Sequence, residues 1–278
     1  MMTYGVLNGK LLPIGEMRIS PMDHGFLYGD GVYETLRTHH HKIFDFDAHF
    51  SRLKHSAQLL DIPLKWKKKE LFEMCNNLID AQKSKKEFRI RITLTRGENN
   101  YHFLGANSPT LLITISVLKD YTEERKTGIV LTSFAIERIL PEAKTISMLV
   151  NNLAKQHVAR KNAFECALID REGFVTEGAV SNILFAKNGI LFYTPKEHTL
   201  AGTAQERVLD VAKKIGIPAQ EKRFTIADLQ KADEVVITNS LFDILPVRVV
   251  EEKKVRSPVG ETYRNIFSCL HAHDHSIS

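Results

Sequence analysis

Residues 142–156, EAKTISMLVNNLAKQ, place a lysine at the start of a stretch with helical character. A lysine whose amine is partly neutral attacks a carbonyl and forms a Schiff base, whereas a solvated lysine carries a charge and does no chemistry. The apolar residues that follow Lys144 are able to desolvate its amine, but such patterns are common. Taken alone, the segment leaves both interpretations of Lys144 open.

A second candidate is the segment 170–185, DREGFVTEGAVSNILF, in which a glutamate and a Ser-Asn pair precede an apolar strand. This pattern is typical of a surface loop between strands. It also suits a carboxylate, Glu177, beside a cationic ring, with small residues that let a flat cofactor approach the backbone. The sequence contains no Walker loop, no GxGxxG after a strand, no HExxH and no GxSxG.

The elements that must position these residues show both strand and helix patterns. Asn8-Gly9 predicts a hairpin, and residues 88–95 alternate apolar and polar side chains as a half-buried strand does. Residues 47–60 have helical periodicity, with Asp47 as the candidate N-cap. A polar stretch at 121–128 predicts a linker between a smaller N-terminal α/β domain, 1–120, and a larger C-terminal domain, 129–278. We therefore expect a mixed α/β fold of two domains.

Composition and charge argue against several classes of protein. Hydrophobic residues make up 43% and charged residues 26% of the chain, as in ordinary globular proteins. The net charge of +5 is small for 278 residues and predicts no nucleic-acid partner. Three widely spaced cysteines without a CxxC motif predict neither a disulfide framework nor a metal site. No segment resembles a signal peptide or a membrane span, so we predict a cytoplasmic location and no membrane partner.

Six segments, in order along nearly the whole chain, resemble the motifs of class IV aminotransferases, the fold-type IV enzymes that use pyridoxal 5'-phosphate (PLP). They are DHGFLYGDGVYETLR, HFSRL, AKTISMLVNNLAKQ, DREGFVTEGAVSNILF, HTLAGTAQERVLDVAKKIGI and ADEVVITNSLFDILPV. Any one of these matches is weak, but six in order are specific. The resemblance implies a two-domain fold-type IV structure with the cofactor in the cleft between the domains, and a homodimer.

The resemblance also implies a role for individual residues. Lys144 matches the lysine that forms the aldimine with PLP, and Glu177 matches the carboxylate that keeps the ring nitrogen protonated. Arg52 matches the arginine that binds the cofactor phosphate, for which its planar fork is suited. Further cofactor contacts are implied for Ser181, Asn182, Leu200, Gly202, Thr203, Ala204, Asn239 and Ser240. Substrate contacts are implied for Tyr33, Thr35, Arg96 and His102.

One departure concerns the phosphate site. The family usually has Gly-Ile-Thr where this chain has Gly202-Thr203-Ala204, so the hydroxyl that grips the phosphate is missing at Ala204. We expect the backbone N–H groups at the start of the following helix to bind the phosphate instead. Thr203 is a candidate to replace the missing hydroxyl.

The activity implied by the resemblance is transamination between an amino acid and a 2-oxo acid, with a branched-chain L-amino acid or a D-amino acid as donor. Tyr33 matches a pocket residue of the D-amino-acid enzymes. Those enzymes bind the substrate carboxylate with an Arg-x-His pair, and the loop RGENNYHFLG has His102 but no arginine in the matching place. The alternative is an aminodeoxychorismate lyase, which releases pyruvate and 4-aminobenzoate. A catalytically silent relative that acts as a binding protein is a further alternative, against which the intact Lys144 and Glu177 argue.

Overall fold

The computed structural model describes residues 4–98 and 108–272. The chain forms two compact units, which we call the N-terminal unit and the C-terminal unit. The N-terminal unit comprises Met1–Lys119 and Ala143–Met148, and the C-terminal unit comprises Asp120–Glu142 and Leu149–Ser278. The domain boundary at 121–128 stays a prediction; a short helix, α4 (Thr122–Thr127), lies within that stretch.

The N-terminal unit is an antiparallel sheet of six strands in the order β2-β1-β6-β5-β3-β4, with two long helices. The strands are β1 (Tyr4–Leu7), β2 (Lys10–Pro13), β3 (Gly31–His39), β4 (Lys42–Ile43), β5 (Phe88–Thr95) and β6 (Thr110–Val117). The helices are α1 (His24–Tyr28), α2 (Phe46–Leu59) and α3 (Lys68–Ala81). The predicted hairpin at Asn8-Gly9 is confirmed, because both residues have positive φ (50° and 84°) and Leu7 pairs with Lys10.

The alternation of side chains along the strands separates two faces of this sheet. The predicted half-buried strand at 88–95 is confirmed: Phe88, Ile90, Ile92 and Leu94 belong to one core cluster together with residues of α2 and α3. On β3, Val32, Glu34 and Leu36 share that helix-covered face, since alternate residues of a strand point the same way. Tyr33 and Thr35 consequently lie on the opposite face.

The start of α2 differs from the prediction. The helix begins at Phe46, its N-cap is Asp45, and Asp47 lies in the first turn. Asp45 adopts a left-handed backbone (φ 55°) and makes no capping hydrogen bond through its side chain. The carboxylate of Asp47 instead interacts favourably with the positive end of the helix dipole. It also accepts a 3.0 Å hydrogen bond from the amine of Lys68.

The C-terminal unit is a mixed sheet in the order β12-β11-β10-β13-β14-β7-β8-β9, with β15 paired to β14. Its strands are β7 (Ile129–Ala135), β8 (Glu165–Ile169), β9 (Val175–Gly178), β10 (Asn182–Lys187), β11 (Ile190–Tyr193), β12 (Ala219–Glu221), β13 (Glu234–Asn239), β14 (Asp243–Val250) and β15 (Lys253–Lys254). Its other helices are α5 (Leu149–Arg160), α6 (Thr203–Lys214), α7 (Ile226–Gln230) and α8 (Glu261–His271). The expected mixture of strands and helices is confirmed in both units.

Two kinds of feature are absent from the described residues. None of the helices there combines the length and apolar character that a bilayer span requires. In the same residues, no cluster of three or more histidine, cysteine, aspartate or glutamate side chains is arranged to hold a metal ion.

Candidate active site

The Lys144 segment of the N-terminal unit is extended and lies along the edge of β3. Tyr33 N donates to Lys144 O at 2.9 Å, and Ile146 N donates to Gly31 O at 2.9 Å. The amide of Lys144 also donates to Ser56 Oγ on α2 at 3.1 Å. The sequence pattern suggests the start of a helix here, but α5 begins only at Leu149. Strand-like hydrogen bonds to β3, which the local sequence does not specify, determine the position of Lys144.

A tyrosine and an arginine accompany the lysine on the face of the sheet opposite to α2 and α3. The amine of Lys144 lies 4.8 Å from the centre of the Tyr33 ring, and the guanidinium of Arg91 lies 3.8 Å from the same ring centre. Arg91 Nε donates to Thr93 Oγ1 at 3.2 Å, and Thr35 pairs with Arg91 across the two strands. Thus the structure brings three residues predicted for the site, Tyr33, Thr35 and Lys144, together with an arginine that was not predicted.

The charge of Arg91 has no acidic partner within the described part of the chain. Burial, together with the positive charge of Arg89, lowers the pKa of Arg91 from its usual value, while a hydrogen bond to Tyr33 acts in the opposite direction. Because a guanidinium stays protonated in proteins, Arg91 presents a half-buried positive charge at the ring of Tyr33, the same ring that the amine of Lys144 contacts. Such a charge is able to bind an anionic group of a substrate.

Arg52, the predicted phosphate ligand, is held by a buried carboxylate. Its Nε and Nη2 donate to Oε1 and Oε2 of Glu34 at 2.7 and 2.8 Å, and His49 Nδ1 lies 2.7 Å from Glu34 Oε2. Burial raises the pKa of Glu34, but the charges of and hydrogen bonds from Arg52 and His49 outweigh it and hold that pKa well below its usual range. Glu34 therefore stays ionised and fixes the orientation of the Arg52 guanidinium. The phosphate contact of Arg52 stays a prediction.

The other two predicted substrate residues are not brought to this cluster. Arg96 donates to Asp30 Oδ2 at 2.5 Å and to the carbonyls of Leu60 and Asp61 at 2.7 and 3.1 Å. These contacts give Arg96 a structural role in joining three segments, and its substrate contact stays a prediction. His102 lies outside the described residues.

In the C-terminal unit, Glu177 lies on β9 with both carboxylate oxygens engaged. Oε1 accepts from Arg138 Nη1 at 2.8 Å, while Oε2 accepts from the amide of Leu200 at 3.2 Å and from Thr199 Oγ1 at 3.3 Å. Asn182 Nδ2 donates to Thr199 Oγ1 and to Leu200 O, at 3.1 and 2.9 Å. The structure thus brings the predicted residues Glu177, Asn182 and Leu200 together.

Ser181 and Asn239 both make hydrogen bonds within the C-terminal unit. Ser181 Oγ donates to Glu165 Oε2 at 3.0 Å, and Glu165 is fully buried and paired with Lys155 at 2.9 Å. Asn239 Oδ1 accepts from the amides of residues 241 and 242 at 2.9 and 3.2 Å. These contacts shape the turns beside Glu177 and Ser240. The predicted contacts of Ser181 and Asn239 with the cofactor stay predictions.

The predicted phosphate site lies at the N-terminus of α6. Its N-cap is Gly202, which has no side chain to cap the helix. The N–H groups of the first turn are therefore not occupied by a capping side chain. Thr203 Oγ1 lies 3.3 Å from Ser240 Oγ, which brings two hydroxyls to this helix end, whereas Ala204 is buried and contributes none. Gly202 is required by packing, because a Cβ there would lie 1.9 Å from Asn182 Oδ1. Uncapped amides and hydroxyls at a helix N-terminus are the donors that a phosphate needs.

Among the charged residues around the predicted site, Glu34, Arg91 and Arg138 contact Arg52, Tyr33 and Glu177 respectively, and His49 contacts Glu34. None of these four is predicted from the sequence. A signal exists for two of them. Glu34 lies between Val32 and Leu36 on the apolar face of β3. A carboxylate that is buried there needs a charged or hydrogen-bonding partner. Arg91 falls on the polar face of a strand whose other face is apolar. Arg138 lies in an irregular segment, where no periodicity indicates its contact with Glu177.

Comparison with known proteins identifies relatives over most of the chain. Residues 31–250 match the family model for amino-transferase class IV. The D-alanine aminotransferase of Listeria innocua serovar 6a is 29% identical over 273 residues, which cover 94% of each chain. The aminodeoxychorismate lyase of Bacillus subtilis (strain 168) is 32% identical over 265 residues, covering 92% of this chain and 89% of the lyase.

The fold has solved counterparts. The branched-chain amino acid aminotransferase from Escherichia coli superimposes with a TM-score of 0.88 at 24% sequence identity. That alignment covers 98% of this chain and 94% of the other. The predicted fold-type IV structure is therefore confirmed.

Proposed function

Because the chain belongs to the class IV aminotransferase family, we propose that it is a PLP-dependent transaminase whose catalytic residue is Lys144. The observation that carries the proposal is the arrangement of the Lys144 amine and the Arg91 guanidinium at 4.8 and 3.8 Å from one tyrosine ring. A lysine that does chemistry on amino acids needs an anion-binding group nearby, and Arg91 supplies it.

The donor set of the chain fits PLP. In the C-terminal unit, the N-terminus of α6 with Thr203 and Ser240 offers donors for a phosphate, and Glu177 offers a carboxylate for a protonated ring nitrogen. In the N-terminal unit, Arg52 is fixed by Glu34 and offers a further cation for the phosphate. When bound, PLP supplies a carbonyl that takes up the substrate's amino group and a ring that withdraws electrons from the substrate's Cα.

Within this proposal the chain's own residues bind, orient and move a proton. Arg91 binds the substrate carboxylate and thereby orients the Cα–H bond toward Lys144. Lys144 Nζ accepts the proton that Cα loses and later returns a proton to the reacting group. The hydrogen bonds between residues 31–33 and 144–146 keep the lysine backbone in place during both transfers.

The amino donor is the open part of the proposal. Similarity to D-alanine aminotransferases supports a D-amino acid, and the shared fold with a branched-chain enzyme leaves a branched-chain L-amino acid as a second donor. The lyase activity is the second candidate function, favoured by the 32% identity to an aminodeoxychorismate lyase. All three reactions require the same lysine.

The test compares wild type with K144A, and with K161A as a control at an exposed lysine. With added PLP, we expect wild type and K161A to form a 2-oxo acid from D-alanine or L-leucine with 2-oxoglutarate. The rate of K144A should be lower by a factor of about 10²–10⁴, which is the usual contribution of a positioned acid–base group. A K144A rate equal to wild type would refute the role of Lys144.

The same preparations separate the two functions. Release of 4-aminobenzoate from aminodeoxychorismate without a 2-oxo acid acceptor would establish the lyase, and an absolute requirement for the acceptor would establish the transaminase. Absence of both reactions, together with no visible absorbance from bound PLP, would leave the catalytically silent relative as the correct interpretation.

We further propose that the chain forms a homodimer through the N-terminal unit. Large apolar side chains are exposed in its first thirty residues: Leu11, Ile14, Ile19, Phe26, Leu27 and Tyr28. Ile19 and Phe26 also line an apolar cavity of about 420 Å³ in this unit. Since exposed apolar surface marks an interaction site, a second copy is the occupant that we propose. We also propose a cytoplasmic location. Its support is that all three cysteines are free, because thiols stay reduced in the cytoplasm.

A further inference from the structure

The Glu177 carboxylate carries a partner that the proposed chemistry leaves unexplained. Arg138 donates to Oε1 at 2.8 Å, on the side of the carboxylate opposite to the contacts of Thr199 and Leu200 with Oε2. Both charged side chains are largely withdrawn from solvent, with 13% of Arg138 and 7% of Glu177 exposed. Charges in such surroundings are weakly screened, so each one acts on any third charge that approaches the pair.

The contacts around Glu177 show that orientation alone does not require a cation. The amide of Leu200 and the hydroxyl of Thr199 already restrain Oε2, and β9 restrains the backbone. Neutral donors would complete the same geometry at Oε1. What Arg138 adds is one positive charge, which partly cancels the negative charge of the carboxylate.

We propose that Arg138 is a positioning residue that weakens the hold of Glu177 on the protonated ring nitrogen of PLP. This inference rests on the proposed function. A lone carboxylate stabilises the charged ring N–H strongly; a carboxylate shared with a guanidinium stabilises it less. The electron withdrawal by the cofactor is then set by the Arg138–Glu177 pair and not by Glu177 alone.

Two substitutions separate the charge of Arg138 from its hydrogen bond. R138Q keeps a donor for Oε1 and removes the charge, whereas R138K keeps the charge and loses the planar fork. Arg171 supplies the matched control, because it pairs with Glu137 at 3.0 Å but is 92% exposed, so R171Q removes an ion pair that solvent screens.

The measurement is the 15N chemical shift of the ring nitrogen in protein loaded with pyridine-15N PLP, followed as a function of pH. Loss of a nearby positive charge favours the protonated nitrogen, so in R138Q the nitrogen should keep its proton to a pH higher by about 1 unit, a tenfold change in proton affinity. R138K and R171Q should titrate within about 0.3 unit of wild type, which is a twofold change.

Other outcomes overturn the inference. If R138Q titrates as wild type does, the charge of Arg138 has no effect on the ring. If R138K shifts as far as R138Q, the fork geometry and not the charge is responsible, and Arg138 only ties the segment at Leu140, whose carbonyl it contacts at 3.4 Å. Should R138Q not fold, R138M, which is also neutral, takes its place in the same comparison. Failure of wild type to bind PLP contradicts the proposed function itself, and is recognised before any variant is compared.

Discussion

Replacement of Glu34 by glutamine tests whether the buried pair with Arg52 stabilises the N-terminal unit. Glu34 is fully buried and receives two guanidinium hydrogen bonds of 2.7 and 2.8 Å, besides the 2.7 Å contact with His49. Glutamine has nearly the same shape but no charge, and its amide group offers N–H donors where Arg52 also presents donors. E34Q therefore removes the carboxylate that pairs with a guanidinium only 9% exposed.

The size of the effect follows from this burial. Removal of one partner from a buried ion pair destabilises a protein by about 3–5 kcal/mol, whereas an exposed pair contributes about 0–1 kcal/mol. The sign with pH follows from the pKa of Glu34, which lies below its ordinary value of 4.5 in the folded protein. The stabilisation is thus fully present above about pH 5 and is lost as the pH falls toward the folded-state pKa. The difference between wild type and E34Q should shrink accordingly.

The assay is urea unfolding at pH 7 and at pH 4, followed by fluorescence. The chain has one tryptophan, Trp66, and it packs against the core of the N-terminal unit, so the signal reports on the unit that contains Glu34. The control is E73Q, since Glu73 is 58% exposed and lies 3.8 Å from Lys69. A loss below about 1 kcal/mol for E34Q at pH 7, or a loss that does not depend on pH, would contradict the reasoning.

Two further predictions concern Arg91 and the proposed dimer. In R91K the charge remains but the bidentate fork is lost, so KM for the amino acid should rise about tenfold or more with a smaller change in kcat; the exposed control R264K should be unchanged. An unchanged KM for R91K would remove Arg91 from the substrate site. In F26D a charge replaces a phenylalanine that is 77% exposed, and light scattering after size exclusion should find a monomer where wild type and L59D are dimers. A dimeric F26D would exclude this surface as the interface.

The local backbone conformations are the features that the sequence determines best. The hairpin at Asn8-Gly9 and the alternation in β5 are readable because each depends on a few consecutive residues. The order of six motifs likewise identifies the family from the sequence, and with it Lys144 and Glu177 as candidates. Capping is less certain, since Asp45 and Asp47 are both acceptable at a helix start and the chain entering α2 decides between them.

The partners of the site residues are decided by tertiary structure. Lys144 follows an extended path because β3, more than a hundred positions earlier, offers free backbone groups at its edge. Arg138 meets Glu177 across 39 positions. Arg91 contacts the same tyrosine ring as Lys144 because the pairing of β3 with β5 places Arg91 and Tyr33 on one face of the sheet, whereas Arg96 lies beyond the end of β5. Sequence spacing carries no information on such distances. A side chain's charge is encoded locally, but what that charge acts on depends on which segments the folded chain brings within a few ångströms.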